Sequence, residues 1–241
     1  MTADRWTQAV RQQVGLGRIV PLGGPRDGAW IAERAAAVLL RRAAARAAPG
    51  VRLDGLRIGR AHGPREEVGE PVVPAPPSAL PPGPLRLAAE FAATASRPLP
   101  VTASLLRTAL AEAAVERIGL AVTQVDLRVT ELLDTEPSAQ PEAPVREPAS
   151  EPPGPGGSEA GRIAAAALAV PGVTRLTGTP GRPVSLSEHP GGAALPHRHA
   201  RVDLAVRSDH HPLEVARAVR TAVGASLPDR PTVAVLVTAL D

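Results

Sequence analysis

The 241 residues include no cysteine, no lysine and no tyrosine, and aromatic side chains make up 1% of the chain. Without cysteine there can be no disulfide, thiolate metal site, iron–sulfur cluster or cysteine nucleophile. Without lysine there is no Schiff-base chemistry, no pyridoxal attachment and no phosphate-loop lysine; all 27 basic residues are arginine. Catalysis is left to His, Asp, Glu, Ser, Thr and Arg. No G-x-S-x-G, H-E-x-x-H or phosphate-loop pattern occurs. The segment GLGRIV from Gly15 has the start of a dinucleotide fingerprint, but it lacks the third glycine, no strand precedes it and proline follows. Long apolar runs are missing too. None approaches the ~20 residues that span a bilayer, and the start of the chain, with Asp4, Arg5 and Trp6, lacks the apolar centre of a secretory signal. Both features lead to the expectation of a cytoplasmic protein.

What is present suits a globular chain. Hydrophobic residues make up 44%, enough to bury a core in one large domain or two small ones. The formal net charge is only +3, yet the isoelectric point is about 10.9. Arginine stays protonated to very high pH, so a small arginine excess raises the isoelectric point steeply. The excess is uneven: residues 1–60 hold 11 Arg against 4 acids, whereas 61–156 is net acidic. An acidic partner is therefore expected at the N-terminal region. Heavy Ala, Arg and Pro usage fits a GC-rich bacterial genome.

Two segments are proline-rich. Residues 61–84 contain PVVPAPPSALPPGP, and residues 135–157 read TEPSAQPEAPVREPASEPPGPGG. Proline fixes φ and removes a backbone donor, so neither segment can form a helix interior or a central strand. Both are expected to be extended and mobile. The second joins two halves; the first is an insertion within the first half.

In the second half, 158–241, SEAGRIAAAALAV predicts a helix with Ser158 as N-cap, stopped by Pro171-Gly172. Strands are expected near 174–178 and 184–187, and again at HARVDLAVRS. There Val202, Leu204 and Val206 alternate with Arg201, Asp203 and Arg207. Pro212 opens an amphipathic helix with its apolar stripe on Leu213, Val215, Ala216, Val219, Ala222 and Val223. TVAVLVTAL closes as a strand apolar on both faces. The first half repeats this order: a helix over GAWIAERAAAVLLRRAAARA, then PGV, strand VRLDGLRIG, strand LRLAAEFAATA, helix VTASLLRTALAEAAVERIG and strand AVTQVDLRVTELL. The expected fold is α+β: two tandem small units of helix-strand-strand-helix-strand order, each a mixed sheet with helices on one face. The expected boundaries are a basic arm at 1–27, a divergent first repeat at 28–134 interrupted by 61–84, a linker at 135–157 and a second repeat at 158–241. With cores of Ala, Val and Leu, each unit is small, and the two should pack together or the protein should oligomerise.

GRIAAAALAVPGVTRL, then RVDLAV, a helix and PTVAVLVTAL resemble the alkaline shock protein family, the envelope stress response proteins of Gram-positive bacteria. The matched places are Val170–Val173, Val202–Val206 with Val215 and Val219 in the helix that follows, and Val233–Val237. The likeness covers 158–241 well and 28–134 weakly. It departs at Ser208-Asp209-His210-His211, where family members carry a tyrosine or glycine. The two-unit form with proline linkers is similar to actinobacterial members. The resemblance implies a non-enzymatic scaffold or interaction protein under the cytoplasmic membrane, with protein partners that include a membrane anchor. It brings no catalytic or cofactor residues.

Five histidines cluster: His189, His197, His199, His210 and His211. His197 and His199 would share one side of a strand, a spacing metals use, but carboxylate partners are not close in sequence; solvated loop histidines are the simpler reading, and no metal or other cofactor is expected. In residues 4–22, Trp6, Val10 and Val14 fall on one helical face. Two readings stand: an arm packed on the first unit, or a basic amphipathic element with Arg5, Trp6, Arg11 and Arg18 docking on anionic lipid or a partner. Two rival functions remain. One is RNA binding through Arg-rich helices, which lacks aromatic stacking residues and an evident backbone-clamping glycine loop. The other is a small α/β enzyme of unknown reaction, for which Asp203 and Asp209 with the histidines are the only sketch.

Overall fold

The computed structural model describes residues 16–61, 70–135, 158–178, 182–189 and 197–241. In chain order the elements are β1 (Ile19–Leu22), β2 (Ala29–Ala32), α1 (Glu33–Ala47), β3 (Val51–Arg60), β4 (Leu85–Thr94) and α2 (Leu99–Glu112). The last of these runs into a π-helical turn, Ala113–Ile118, followed by β5 (Val122–Leu133), α3 (Glu159–Leu168), β6 (Val173–Leu176), β7 (Val184–His189), β8 (His197–Val206), α4 (Pro212–Ser226) and β9 (Thr232–Leu240). The fold is α+β with two mixed sheets. One has the order β3-β4-β5, with β3 antiparallel and β5 parallel to β4. The other has the order β1-β2-β9-β8, with β6 and β7 end to end along the outer edge of β8. There β2, β9 and β8 run parallel, and β1, β6 and β7 are antiparallel to their neighbours.

The local signals of the second half hold. The Ser158 hydroxyl accepts from the Gly161 N–H, capping α3. Pro212 sits in the first turn of α4, and Leu213, Val215, Ala216, Val219 and Val223 are its buried stripe. β9 lies between β2 and β8 and is buried on both faces, as its uninterrupted apolar run requires.

The first half departs from the sequence expectation at its start. The helix predicted from Gly28 begins at Glu33, because Ala29–Ala32 forms β2 and pairs in parallel with β9 (Trp30 opposite Leu236). Trp30 and Ile31 are 1% and 0% exposed. Burying two such side chains is worth about 3–6 kcal/mol in total, whereas the helix propensities of four residues differ from coil by about 1 kcal/mol. Tertiary burial therefore decides the state of this segment. β1 and β2 form a hairpin, so part of the expected N-terminal arm is a structural strand of the second half's sheet.

The second correction concerns the proline insertion. Its described part, 70–84, carries bends and a turn, with the Ala79 N–H donating to Pro76 O and Ser78 at φ +62°, and it is tied to the rest of the protein. The Leu80 N–H donates to Ile19 O at 2.8 Å, and the Val72 N–H donates to Pro25 O at 3.2 Å. Val73 packs with Ile19, Trp30, Ala234 and Leu236 on the sheet face opposite the helices. The six-stranded sheet is thus covered on both sides, while among the described residues the three-stranded sheet has helices on one face only. A single core runs through both halves, from Val20 and Ile31 through Leu40, Ile58, Phe91 and Leu110 to Val202, Val219 and Val237. Helix α1 lies at its centre, touching β3 of one sheet and β9 of the other.

Candidate functional site

Alternation places two rows of side chains on the three-stranded sheet. Leu85, Leu87, Ala89, Phe91 and Ala93 of β4 face the helices. The other face is open and charged. β3 contributes Arg52, Asp54 and Arg57 to it, β4 contributes Arg86 and Glu90, and β5 contributes Asp126, Arg128 and Glu131. That is four arginines and four acids. Most are paired: Arg52 with Asp54 and Glu131 (2.9 Å each), Arg86 with Asp126, and Arg128 with Glu90 at 3.6 Å. The face is electrically balanced and holds no aromatic side chain.

The two edges of this sheet differ. At the outer edge of β3 the Ile58 N–H donates to Glu33 Oε1 at 2.6 Å, and the Ile58 carbonyl accepts from Arg18 Nη1 at 3.3 Å. Side chains from the neighbouring elements thus cap that edge. β5, twelve residues long, has no strand on its outer side among the described residues. Val129 and Leu132 there are 39% and 59% exposed. A long strand with one open edge is a template for another extended chain.

A second feature is buried. Asp203 lies on the face of β8 that points away from the helices, and its side chain is fully buried. The gap between β6 and β7 is closed on its backbone: the Thr177 N–H donates to Asp203 O, and the Asp203 N–H donates to Pro183 O, each at 2.9 Å. One carboxylate oxygen accepts from Arg201 Nε at 3.1 Å; the other, Oδ2, has no hydrogen-bond partner among the described residues. Burial pushes the carboxyl up to about 7, against the smaller opposing pull of Arg201. Nearby, the Thr238 hydroxyl donates to Thr177 Oγ1 at 2.7 Å. Sequence alternation marks Asp203 as a polar, outward residue, yet in the structure it is fully buried.

The residues singled out from sequence do not converge. Arg5, Trp6 and Arg11 lie outside the described residues. Arg18 is exposed, and its guanidinium binds the Ile58 carbonyl. His197 is exposed, while His199 is buried with Nδ1 at 2.9 Å from Thr232 Oγ1. Among the described residues no group of three or more metal-ligating side chains forms. Asp209 engages Arg207 and His210 in the turn after β8, so it shares no partner with Asp203. Arg207 and His210 hold the Asp209 carboxyl well below the usual range. His211 caps α4, its Nδ1 accepting from the Glu214 N–H at 3.4 Å. The departure Ser208-Asp209-His210-His211 is thus the turn and cap that launch a helix.

These features define an α+β protein of two mixed sheets, with a charge-balanced face on the three-stranded sheet and, among the described residues, no strand beside the outer edge of its long strand β5. The chain matches no protein-family model, no curated protein and no solved structure. Among the described residues no helix is long and apolar enough to cross a membrane.

Proposed function

We propose that this chain is a non-enzymatic interaction or scaffold protein of the alkaline-shock type, acting in the envelope stress response and built from two copies of one unit. It would work in the cytoplasm, at the inner face of the membrane or on a membrane-anchored partner. The shared chain path supports duplication: α1-β3-β4-α2-β5 and α3-β6/β7-β8-α4-β9 both join an antiparallel pair to a parallel one. The register shift in β3 between Asp54 and Arg57 lies in the strand that answers to the interrupted β6/β7. The observation that carries the interaction reading is the pair of corresponding edges. The edge of β9 is filled by β2, and that of β5 lacks a strand among the described residues. Strand addition at such an edge is a common way to take a polypeptide partner.

The balanced, aromatic-free face argues against the RNA reading, since phosphate binding needs surplus cations and base binding needs stacking surfaces. Asp203 is the one feature that favours an enzyme, because perturbed carboxyls cluster at active sites. Its carboxyl is fully buried and its one side-chain partner among the described residues is Arg201, so the two do not form an acid–base pair.

Two measurements on purified full-length protein test the reading. In a gel-shift titration with generic RNA at low salt, no retardation is expected; salt-sensitive retardation would overturn it in favour of the nucleic-acid rival. Flotation with vesicles of phosphatidylcholine and phosphatidylglycerol tests the docking role of Arg5, Trp6, Arg11 and Arg18. The comparison is with a chain lacking residues 1–15 and carrying Arg18→Ala, which leaves β1 intact. Reduced flotation is expected, and equal flotation removes the docking arm.

A further inference from the structure

We infer that β5 pairs antiparallel with β5 of a second copy of this chain, with Leu127 opposite Leu127 of the copy, joining two three-stranded sheets into one of six strands. The inference rests on the interaction reading above and names its partner.

The ladder fixes which backbone groups are available. The Leu85 N–H donates to Ala121 O while Leu85 sits opposite Val122. In a parallel pair each bonding residue reaches the two neighbours of its opposite number, not that residue itself. Val125, Leu127 and Val129, opposite Leu87, Ala89 and Phe91, therefore direct their N–H and C=O groups to the outer side. The Val125 carbonyl is consistent with this direction: it accepts from Arg107 Nε at 3.4 Å, a long contact that pairing with a second strand would replace.

A two-fold axis through Leu127 then makes every pair complementary. Leu127 meets Leu127 of the copy, and Val125 meets Val129 of the copy, as hydrogen-bonded pairs with apolar side chains on the helix side. Asp126 meets Arg128 of the copy as a non-hydrogen-bonded pair, the closer of the two types, on the charged side. Arg128 is 79% exposed and Asp126 54% exposed, so each has room to take a second partner besides Glu90 and Arg86.

The other occupant within reach in sequence is the chain that follows β5. Its sequence, residues 136–157, carries seven prolines, each without a backbone donor and so ill-suited to extend a ladder. The segment that precedes α1 supplies β2 to β9, whereas the segment before α3 is this proline run in sequence.

The test is sedimentation velocity on the full chain over a range of concentrations. A reversible dimer is expected. Asp126→Arg and Arg128→Asp each place like charges opposite one another twice per dimer and should weaken it at least about tenfold. An equimolar mixture of the two variants restores complementary pairs and should dimerise again, as should the double variant D126R/R128D. Recovery on mixing also shows that each variant is folded. Amide exchange at Leu127 and Val129 should slow as dimer forms. A wild-type monomer across the range, or a dimer indifferent to the reversals, overturns the inference. Neither result touches the interaction reading, which the RNA titration and the flotation assay test separately.

Discussion

Asp203 has the most unusual environment of any described carboxyl. Its charged form has one guanidinium contact and one bare oxygen in a fully buried position. The folded protein therefore holds a proton on Asp203 up to about pH 7, whereas the unfolded chain releases it near pH 4. Between those values the native state binds more protons, so stability falls as pH rises. The contribution is fully present below about pH 4 and is lost as pH climbs through about 7. Between pH 6 and pH 8 the expected loss is about 1–2 kcal/mol, seen as a melting temperature lower by a few degrees. Asp203→Asn removes the titrating group at similar volume. Melts of this variant should show the slope between pH 6 and pH 8 largely abolished; an unchanged slope would assign the pH dependence to another group.

At the scale of elements, the hairpin β1–β2 is the piece that binds the halves, and its anchor is Arg220 of α4. The half-buried guanidinium donates to Val233 O at 3.0 Å, Arg26 O at 2.9 Å and Asp27 O at 2.5 Å. Arg217, one turn earlier, pairs with Asp27 at 2.8 Å. Gly28 adopts φ +53° beside this guanidinium, where a Cβ would lie 2.8 Å from Val73 and 3.0 Å from Arg220, so helix, hairpin and proline cover meet at one point. Arg220→Ala strands three carbonyls at this junction and should cost about 2–3 kcal/mol. Amides of β2 should exchange faster than those of β8, because β2 loses its tether first; uniform acceleration would mean that Arg220 supports the whole core instead. The helices and strands of 158–241 were legible because caps, alternation and the stripe of α4 are local signals. β2 was not: its four residues lie beside an alanine-rich helix in sequence, and its partner β9 is some two hundred residues on. The proline cover was hidden for a related reason, since proline excludes helix and ladder but does not exclude packing. Of the candidate site, β5 was readable as a strand, and its open edge was not, because an edge is defined by which strands fail to arrive.

For the whole molecule, a similar order of elements in the two halves does not make the halves independent. The first half runs α1-β3-β4-α2-β5 and the second α3-β6-β7-β8-α4-β9, but the second half's sheet is completed by β1 and β2 from the other end of the chain, and its outer face is covered by Val73. With cores of alanine, valine and leucine, each half buries little area per residue, which favours this sharing. Gly119, at the end of the π-helical turn, shows how close the halves come: φ is +92° and a Cβ would lie 2.7 Å from Leu213 of α4. Full-length protein should therefore unfold in one transition, with far-UV dichroism and tryptophan fluorescence coinciding. A fragment spanning 158–241 would leave β9 as an edge, with Val235, Leu236 and Val237 no longer flanked by Ala29–Ile31 and with Leu236 uncovered. Such an exposed apolar edge favours association over folding, so the fragment should lack a cooperative melt and aggregate on warming. A monomeric fragment that melts cooperatively by itself would show that the second half is an autonomous domain and that the hairpin is an accessory to it.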